Sequence, residues 1–253
     1  HVLCKTDDRG IPESTLYDRS GRYPVAVTGG AAPREVLYCG FEPYEAGDRI
    51  SVSGEPAGQY LTEETAFSGT RCLKIPAGKK ALFQVGVREN GLRVRFSVKA
   101  DSPVDVMVDF GRGSTEKKQF CRGSDSGELC GDGAWHTIRD LFHSRTETDA
   151  ALVMISSESE IWLDAVYITP VLSSGEASVY TGPRMLQSAL HRSEAPGTRT
   201  YFDKYDVPAV TAGDDGTFLE FTNTLYHSDG NPHEQYAVCL LYTSDAADDL
   251  TRV

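Results

Sequence analysis

The sequence predicts an all-β protein, and three observations lead to this fold class. The clearest is the strict alternation of apolar and polar residues in segments such as Leu92-Arg-Val-Arg-Phe-Ser-Val-Lys99, which is typical of a strand with one buried face. The second is the set of 24 glycines and 12 prolines, which together with Asp and Asn interrupt the chain at short intervals. The third is that no segment sustains the period of an amphipathic helix. Short strands joined by turns account for all three.

The middle of the chain, residues 36–170, is predicted to form a β-sandwich. Residues 92–99 and the alternating segment from Val104 to Phe110 are interpreted as two adjacent half-buried strands, with a turn at Ser102-Pro103 between them. Four more segments have the composition of strands: 81–85, 134–138, 151–155 and 161–168.

The flanks, residues 1–35 and 171–238, have a different pattern. Both place Tyr or Phe next to Asp-rich turns, as in Tyr17-Asp18-Arg19-Ser20-Gly21, in Tyr201-Phe202-Asp203-Lys204-Tyr205-Asp206, and around Tyr226 and Asp229-Gly230-Asn231. Such segments predict short strands with one apolar or aromatic face, joined by tight hairpin turns. Their recurrence on both sides predicts a repeat array that the sandwich interrupts, with a linker in the second flank.

The order of motifs in the middle region resembles that of galactose-binding-like jelly rolls, a group that includes carbohydrate-binding modules. The motifs are GFEPYE, TAFSGTRCLKI, LRVRFSVKA, DVMVDFG, AWHTI and IWLDAVYITP. The resemblance covers about half of the chain. It implies a jelly-roll β-sandwich whose partner is a carbohydrate or another protein.

The flanks resemble the tyrosine-aspartate (YD) repeats of RHS-type proteins, in which such hairpins wind into a large β shell. This resemblance implies that the chain is a non-catalytic recognition or structural module of a large secreted or cell-surface protein. Two alternatives stay open. One is an accessory carbohydrate-binding module of a multidomain polysaccharide-degrading enzyme, and the other is a purely structural, adhesin-like sandwich.

The composition argues against two classes of interaction, nucleic-acid binding and membrane spanning. The formal net charge of −12 argues against nucleic acid, which requires a basic surface, and no apolar run reaches the length of a membrane span. Cys121 and Cys130 flank a polar loop, so they form either a disulfide or two free thiols.

No catalytic residue is predicted. Asp109-Phe110-Gly111 and Asp125-Ser126-Gly127 spell fragments of kinase and protease motifs without the partner residues, so both are interpreted as turns. The histidines have no tight metal-binding spacing. His136 should point away from its neighbour Trp135, and Gly213-Asp214-Asp215-Gly216 is predicted to be a hairpin turn.

The predicted ligand-binding residues are the aromatics Tyr60, Trp135 and Trp162, although a strand Trp is more often part of a core. The predicted metal ligands are Glu42 and Asp164, because jelly rolls of the resembled type often hold a structural Ca²⁺ where the first and last strands meet. The alternative for Asp164 is a place on the exposed polar face of its strand.

The last residues, CLLYTSDAADDLTRV, resemble the translation of a sequencing-library adapter. Residues 239–253 are therefore expected to be a disordered artefact, and the chain is expected to be an internal piece of a longer gene of metagenomic type.

Overall fold

The computed structural model describes residues 2–45, 49–87, 91–120, 133–182, 184–213, 217–227 and 232–239. The regular secondary structure of these residues is almost entirely β-strand, which confirms the predicted all-β class, and two short 3₁₀ helices span Pro33–Glu35 and Ala57–Tyr60. The chain divides into two compact units, residues 1–195 and 196–253. This division differs from the predicted boundaries at 35/36 and 170/171, because strands from both flanks pack onto the sandwich within the first unit.

The strands in chain order are β1 (Val2–Thr6), β2 (Pro12–Tyr17), β3 (Pro24–Gly29), β4 (Leu37–Cys39), β5 (Ile50–Val52), β6 (Glu55–Pro56), β7 (Leu61–Thr62), β8 (Cys72–Ile75), β9 (Lys80–Gly86), β10 (Gly91–Ala100), β11 (Val104–Asp109), β12 (Thr115–Phe120), β13 (His136–His143), β14 (Ala150–Ser157), β15 (Ile161–Pro170), β16 (Ser174–Thr181), β17 (Leu186–Arg192), β18 (Thr198–Phe202), β19 (Pro208–Gly213), β20 (Phe218–Tyr226) and β21 (Pro232–Cys239).

Three antiparallel sheets build the first unit. The central sheet has the order β13-β10-β15-β8-β7, and β4 also pairs with β15. The open sheet has the order β12-β11-β14-β9-β5-β6 and packs on one face of the central sheet to complete the sandwich. The meander sheet, β1-β2-β3-β16-β17, packs on the other face of the central sheet.

The prediction that residues 92–99 and 104–110 form adjacent strands is wrong. β10 pairs with β13 and β15 in the central sheet, whereas β11 pairs with β12 and β14 in the open sheet. The turn at Ser102-Pro103 therefore carries the chain from one layer of the sandwich to the other. Each segment alternates because each sheet turns one face to the shared core, and alternation alone does not identify the neighbouring strand.

The core of the sandwich is apolar and continuous. Phe83, Phe96, Val153 and Leu163 each expose at most 1% of their surface and meet between the two sheets. Phe110 extends this core beyond the end of β11, and Gly111 follows it with a φ of 74°. This confirms the interpretation of Asp109-Phe110-Gly111 as a strand end followed by a turn.

The sandwich is inserted between two neighbouring strands of the meander sheet. β3 ends at Gly29 and β16 begins at Ser174, and these two residues are directly paired in antiparallel register. All the strands of the sandwich therefore lie in the connection between β3 and β16. The two flanks supply strands to one sheet, although they are far apart in the sequence.

Three hairpin turns of the chain share one hydrogen-bonding pattern and begin at Asp7, Asp18 and Asp203. In each, one carboxylate oxygen of the Asp accepts hydrogen bonds from two backbone N–H groups further along the turn, at 2.8–3.1 Å. The third residue after each Asp has a positive φ: Gly10 (79°), Gly21 (73°) and Asp206 (64°). Asp side chains suit this role because they can satisfy backbone donors within a turn.

The second unit contains β18 to β21, and each of these strands pairs with the next in antiparallel order. The turn at Asp203 receives a hydrogen bond from the hydroxyl of Tyr226, whose ring lies 4.1 Å from the ring of Tyr205. β19 and β20 form a hairpin across the predicted Gly213–Gly216 turn, of which residues 214–216 are outside the described part of the chain.

Candidate functional site

The face of the central sheet that points away from the sandwich core is divided into a covered and an uncovered part. In the covered part, Tyr38 and Tyr167 are buried beneath the meander sheet together with Ala177 and Val179. In the uncovered part, Trp162 and Lys99 are only partly buried. The register makes Lys99 and Lys74 the direct cross-strand neighbours of Trp162, one on each side.

Trp135 belongs to the same row of side chains. It precedes β13 by one residue, and the register that pairs His136 with Val98 places Trp135 level with Lys99. The row therefore crosses four strands in the order Trp135, Lys99, Trp162, Lys74, and we call it the tryptophan row. The Cα atoms of its two tryptophans are two strand spacings apart, about 10 Å.

Charged groups surround the Trp162 ring. The ammonium nitrogens of Lys74 and Lys99 lie 5.5 and 5.7 Å from the ring centroid, which is within the range of a cation–π contact. Lys74 also forms ion pairs with Glu64 at 3.0 Å and with Glu160 at 3.4 Å. These side chains give the ring a rim of hydrogen-bond donors and acceptors.

Trp135 is fixed by the loop between β7 and β8. Its ring centroid lies 6.0 Å from that of Phe67, and its Nε1 donates to Thr65 Oγ1 at 3.2 Å. His136 lies on the opposite side of its strand, level with the buried Val98, as the alternation predicts. Two of the three predicted ligand-binding aromatics are thus brought together.

The third predicted aromatic, Tyr60, lies elsewhere. It ends the second 3₁₀ helix, and its hydroxyl donates to Glu55 and accepts from Lys79. The Lys79 nitrogen also lies 4.9 Å from the centre of the Tyr60 ring. Tyr60 therefore belongs to a polar cluster near the β5–β6 edge and not to the tryptophan row.

The predicted metal ligands Glu42 and Asp164 hold the same loop through hydrogen bonds. Asp164 is fully buried and accepts from the backbone N–H groups of Phe67 and Ser68 at 2.8 and 2.9 Å. Glu42 exposes 4% of its surface and accepts from the N–H groups of Thr70 and Arg71 at 2.7 and 3.1 Å. Burial raises the pKa of both carboxyls, and these hydrogen bonds act in the opposite direction.

In this structure both carboxylates act as hydrogen-bond acceptors for the loop. Each of the four carboxylate oxygens accepts at least one hydrogen bond, since Asp164 Oδ1 also accepts from Ala165 N at 2.6 Å and Glu42 Oε2 from Thr70 Oγ1 at 2.8 Å. Across the described residues, no three His, Cys, Asp or Glu side chains are grouped as metal ligands. The two acids instead clamp the loop that supports Trp135, and the calcium hypothesis stays a prediction. The alternative that Asp164 lies on an exposed face of its strand is wrong, because the loop covers this side chain.

Sequence reasoning did not identify a cleft of about 520 Å³ at one end of the sandwich. Its lining includes Phe41, Glu42, Glu45 and Ser51 of the sandwich, together with Arg19 from the turn between β2 and β3. Arg19 was recognised only as part of a turn motif. Nothing in the sequence indicates that this turn reaches the sandwich, because the contact depends on the insertion between β3 and β16.

Other predicted features lie outside this region. Cys121, Cys130 and the Asp125-Ser126-Gly127 turn are outside the described residues, as is the turn between His227 and His233. The described part of the chain has no helix with the length and apolarity of a membrane span.

No family model matches the sequence, and no curated protein matches it. Among solved structures, the chain is similar to the CBM22-1 xylan-binding domain of Paenibacillus barcinonensis Xyn10C, with 15% identity over 55% of this chain and 87% of that one and a TM-score of 0.33. It is similar to the N-terminal cellulose-binding domain of Cellulomonas fimi β-1,4-glucanase C, with 15% identity over 55% of this chain and 96% of that one and a TM-score of 0.34. It is also similar to the K2 cleaved adhesin domain of Lys-gingipain, with 13% identity over 53% and 97% and a TM-score of 0.32. At these scores the likenesses assign neither a ligand nor an activity to this chain.

Proposed function

We propose that the chain is a non-catalytic carbohydrate-binding module and that the tryptophan row binds the glycan. The observation that carries this proposal is the placement of Trp135 and Trp162 on one row of the uncovered face. Partly exposed indole rings offer apolar surface to the C–H face of a sugar ring, and their position on strands keeps them rigid.

The polar groups around the row support the same function. Lys74 and Lys99 donate hydrogen bonds, Glu64 and Glu160 accept them, and sugar hydroxyls do both. The row runs across four strands, so an extended chain can lie along it. The open sheet is a less favourable platform, since the described residues at the centre of its outer face are Leu82, Met107 and Met154 rather than aromatics.

The test is binding of the full chain to a panel of soluble polysaccharides, measured by affinity electrophoresis and calorimetry. We expect Trp162→Ala to weaken binding by roughly tenfold or more, because aromatic anchors carry much of the energy of an interface. Trp162→Phe should retain part of the affinity. Tyr60→Ala is the matched control, since Tyr60 is an aromatic of the same sandwich outside the row.

Three outcomes contradict the proposal. Binding that survives both Trp162→Ala and Trp135→Ala would place the ligand elsewhere. A loss caused by Tyr60→Ala alone would move the site to the β5–β6 edge. A folded protein that binds no member of a broad panel would favour a structural sandwich.

We also propose that the module belongs to a large secreted or cell-surface protein of the RHS (YD-repeat) type. The insertion of the sandwich between β3 and β16 and the shared turns at Asp7, Asp18 and Asp203 support this origin. Gene sequence on either side of the fragment tests it. Many further tyrosine-aspartate hairpins are expected, whereas a catalytic barrel or lyase domain would favour an accessory module of a polysaccharide-degrading enzyme.

A further inference from the structure

The end cleft brings together side chains from two separate parts of the first unit. Arg19 reaches it from the meander sheet, where its backbone N–H donates to Tyr44 O at 2.7 Å and its Nε donates to Glu45 O at 2.7 Å. These two bonds fix the guanidinium group at the wall of the cleft. The sandwich alone would lack this cation.

Glu42 supplies an acceptor on the same lining. A carboxylate has about four acceptor positions, and three of them receive Thr70 N, Thr70 Oγ1 and Arg71 N. One position at Oε2 remains for a ligand. Gly69 sustains this geometry, because a Cβ at Gly69 would lie 2.2 Å from Glu42 Oε1.

Among the described residues, the lining of the cleft carries side chains of both charge types, a guanidinium and a carboxylate. Glu45 is buried, and its Oε2 accepts from Gly40 N at 2.7 Å, so this carboxyl is engaged within the protein. Arg19 and Glu42 are two of these groups, one a donor and the other an acceptor. Phe41, Ile50 and Leu61 provide apolar surface on the same lining. An apolar floor with a few convergent polar groups is the usual composition of a small-molecule site.

We propose that this cleft is a second binding site, for a single neutral sugar residue that presents vicinal hydroxyls. Arg19 donates to one hydroxyl, the Glu42 carboxylate accepts from its neighbour, and the C–H groups of the ring lie against Phe41. The cleft volume suits one or two sugar rings and not an extended chain. The site deepens the proposed carbohydrate-binding function and adds a ligand position separate from the tryptophan row.

The experiment uses the full chain and free glucose, galactose, mannose and xylose, with binding measured by thermal shift and by NMR titration. At least one of these sugars is expected to raise the Tm of the wild type, because a ligand of the folded state stabilises it. Arg19→Gln should weaken that binding roughly tenfold, as expected for a lost hydrogen bond from a charged donor. Arg22→Gln in the same turn is the matched control, because Arg22 is exposed and does not line the cleft.

The outcomes separate this site from the tryptophan row. A monosaccharide response that disappears with Trp162→Ala and persists with Arg19→Gln would overturn the proposal, since the sugar would then be bound on the row. Polysaccharide binding without any response to the free sugars would also overturn it and would leave the first site intact. A response retained in Trp162→Ala and lost in Arg19→Gln supports the cleft even if no polysaccharide binds.

Discussion

The central sheet packs against another sheet on each of its two faces, and the two interfaces differ in chemistry. The interface with the open sheet is built from Val, Ile, Leu and Phe side chains that are almost completely buried. The interface with the meander sheet contains Arg95 and His191, both fully buried, with 3.2 Å between Arg95 Nη2 and His191 Nδ1. His191 Nε2 in turn lies 2.9 Å from Ser68 Oγ.

This difference separates two ways in which an interface is specified. Apolar contacts are non-directional and follow from the binary pattern of each strand, so they need no individual partner atom. Buried polar groups require partners at defined positions, and a missing partner costs free energy. The first interface therefore depends on the burial of apolar side chains, whereas the second also depends on polar partners at defined positions.

The largest expected effect comes from the apolar interface. Phe96→Ala should lower the free energy of unfolding by about 3–5 kcal/mol, because it removes a buried ring and leaves a cavity. Urea unfolding monitored by circular dichroism measures the change. Met107→Ala on the outer face of the open sheet is the control, and it should cost much less because Met107 is partly exposed. Equal losses for the two variants would contradict the assignment of the core.

A smaller effect is expected at the meander interface from Gly175→Ala. A Cβ at Gly175 would lie 2.1 Å from Tyr167 Oη and 2.7 Å from Thr28 Oγ1, two atoms that are themselves hydrogen-bonded at 2.7 Å. Relieving this overlap must move β16 away from the central sheet, at a cost of about 1–3 kcal/mol. Hydrogen exchange should then accelerate in β16 and β17 and remain slow in β10.

The control for this substitution is Gly58→Ala, because no atom lies within 4 Å of a Cβ at Gly58. It should leave the free energy of unfolding nearly unchanged. If Gly175→Ala is as well tolerated as Gly58→Ala, the meander sheet does not pack on the central sheet as described.

The contrast between the apolar interface and the meander interface also explains what the sequence could predict. Alternation in β10 placed Phe96 in the core and assigned Arg93, Arg95 and Lys99 to the opposite face, and both assignments are confirmed. It could not show that Arg95 would be fully buried while Lys99 stays partly exposed, since the pattern is the same at both residues. That distinction depends on the pairing of β3 with β16, which lies outside the local pattern.

The residues of the candidate sites also fall into two groups, those that the sequence could identify and those that it could not. Trp135 and Trp162 could be named as candidates from the sequence because tryptophan is rare and offers a large apolar surface. Their common row depends on the register of three strands, including a bulge in β15 where Ala165 adopts a φ of 48°. Arg19 could not be assigned to the end cleft, because its role depends on where a remote turn docks.

The last prediction concerns the pH dependence of stability and Glu45, which lies between the two interfaces. Its neighbour Cys39 belongs to the sandwich core, and Tyr38, whose pKa Glu45 helps to raise, belongs to the meander interface. Burial raises the pKa of Glu45 from 4.5 to about 8, so the folded state holds a proton there that the unfolded state releases above pH 4.5. Stability from this group is therefore fully present below pH 4.5 and is lost as the pH rises through about 8.

Urea unfolding between pH 5 and pH 8 should reveal this contribution as a decline of at most about 1.4 kcal/mol per pH unit. Glu45→Gln keeps a neutral side chain of similar shape and should make the decline shallower. Glu42 and Asp164 also have raised pKa values and act in the same direction, so part of the decline should remain. Glu63→Gln is the control, because its side chain is 68% exposed. If the pH profile of Glu45→Gln is parallel to that of the wild type, the pKa of Glu45 is not raised by burial, and the decline has another origin.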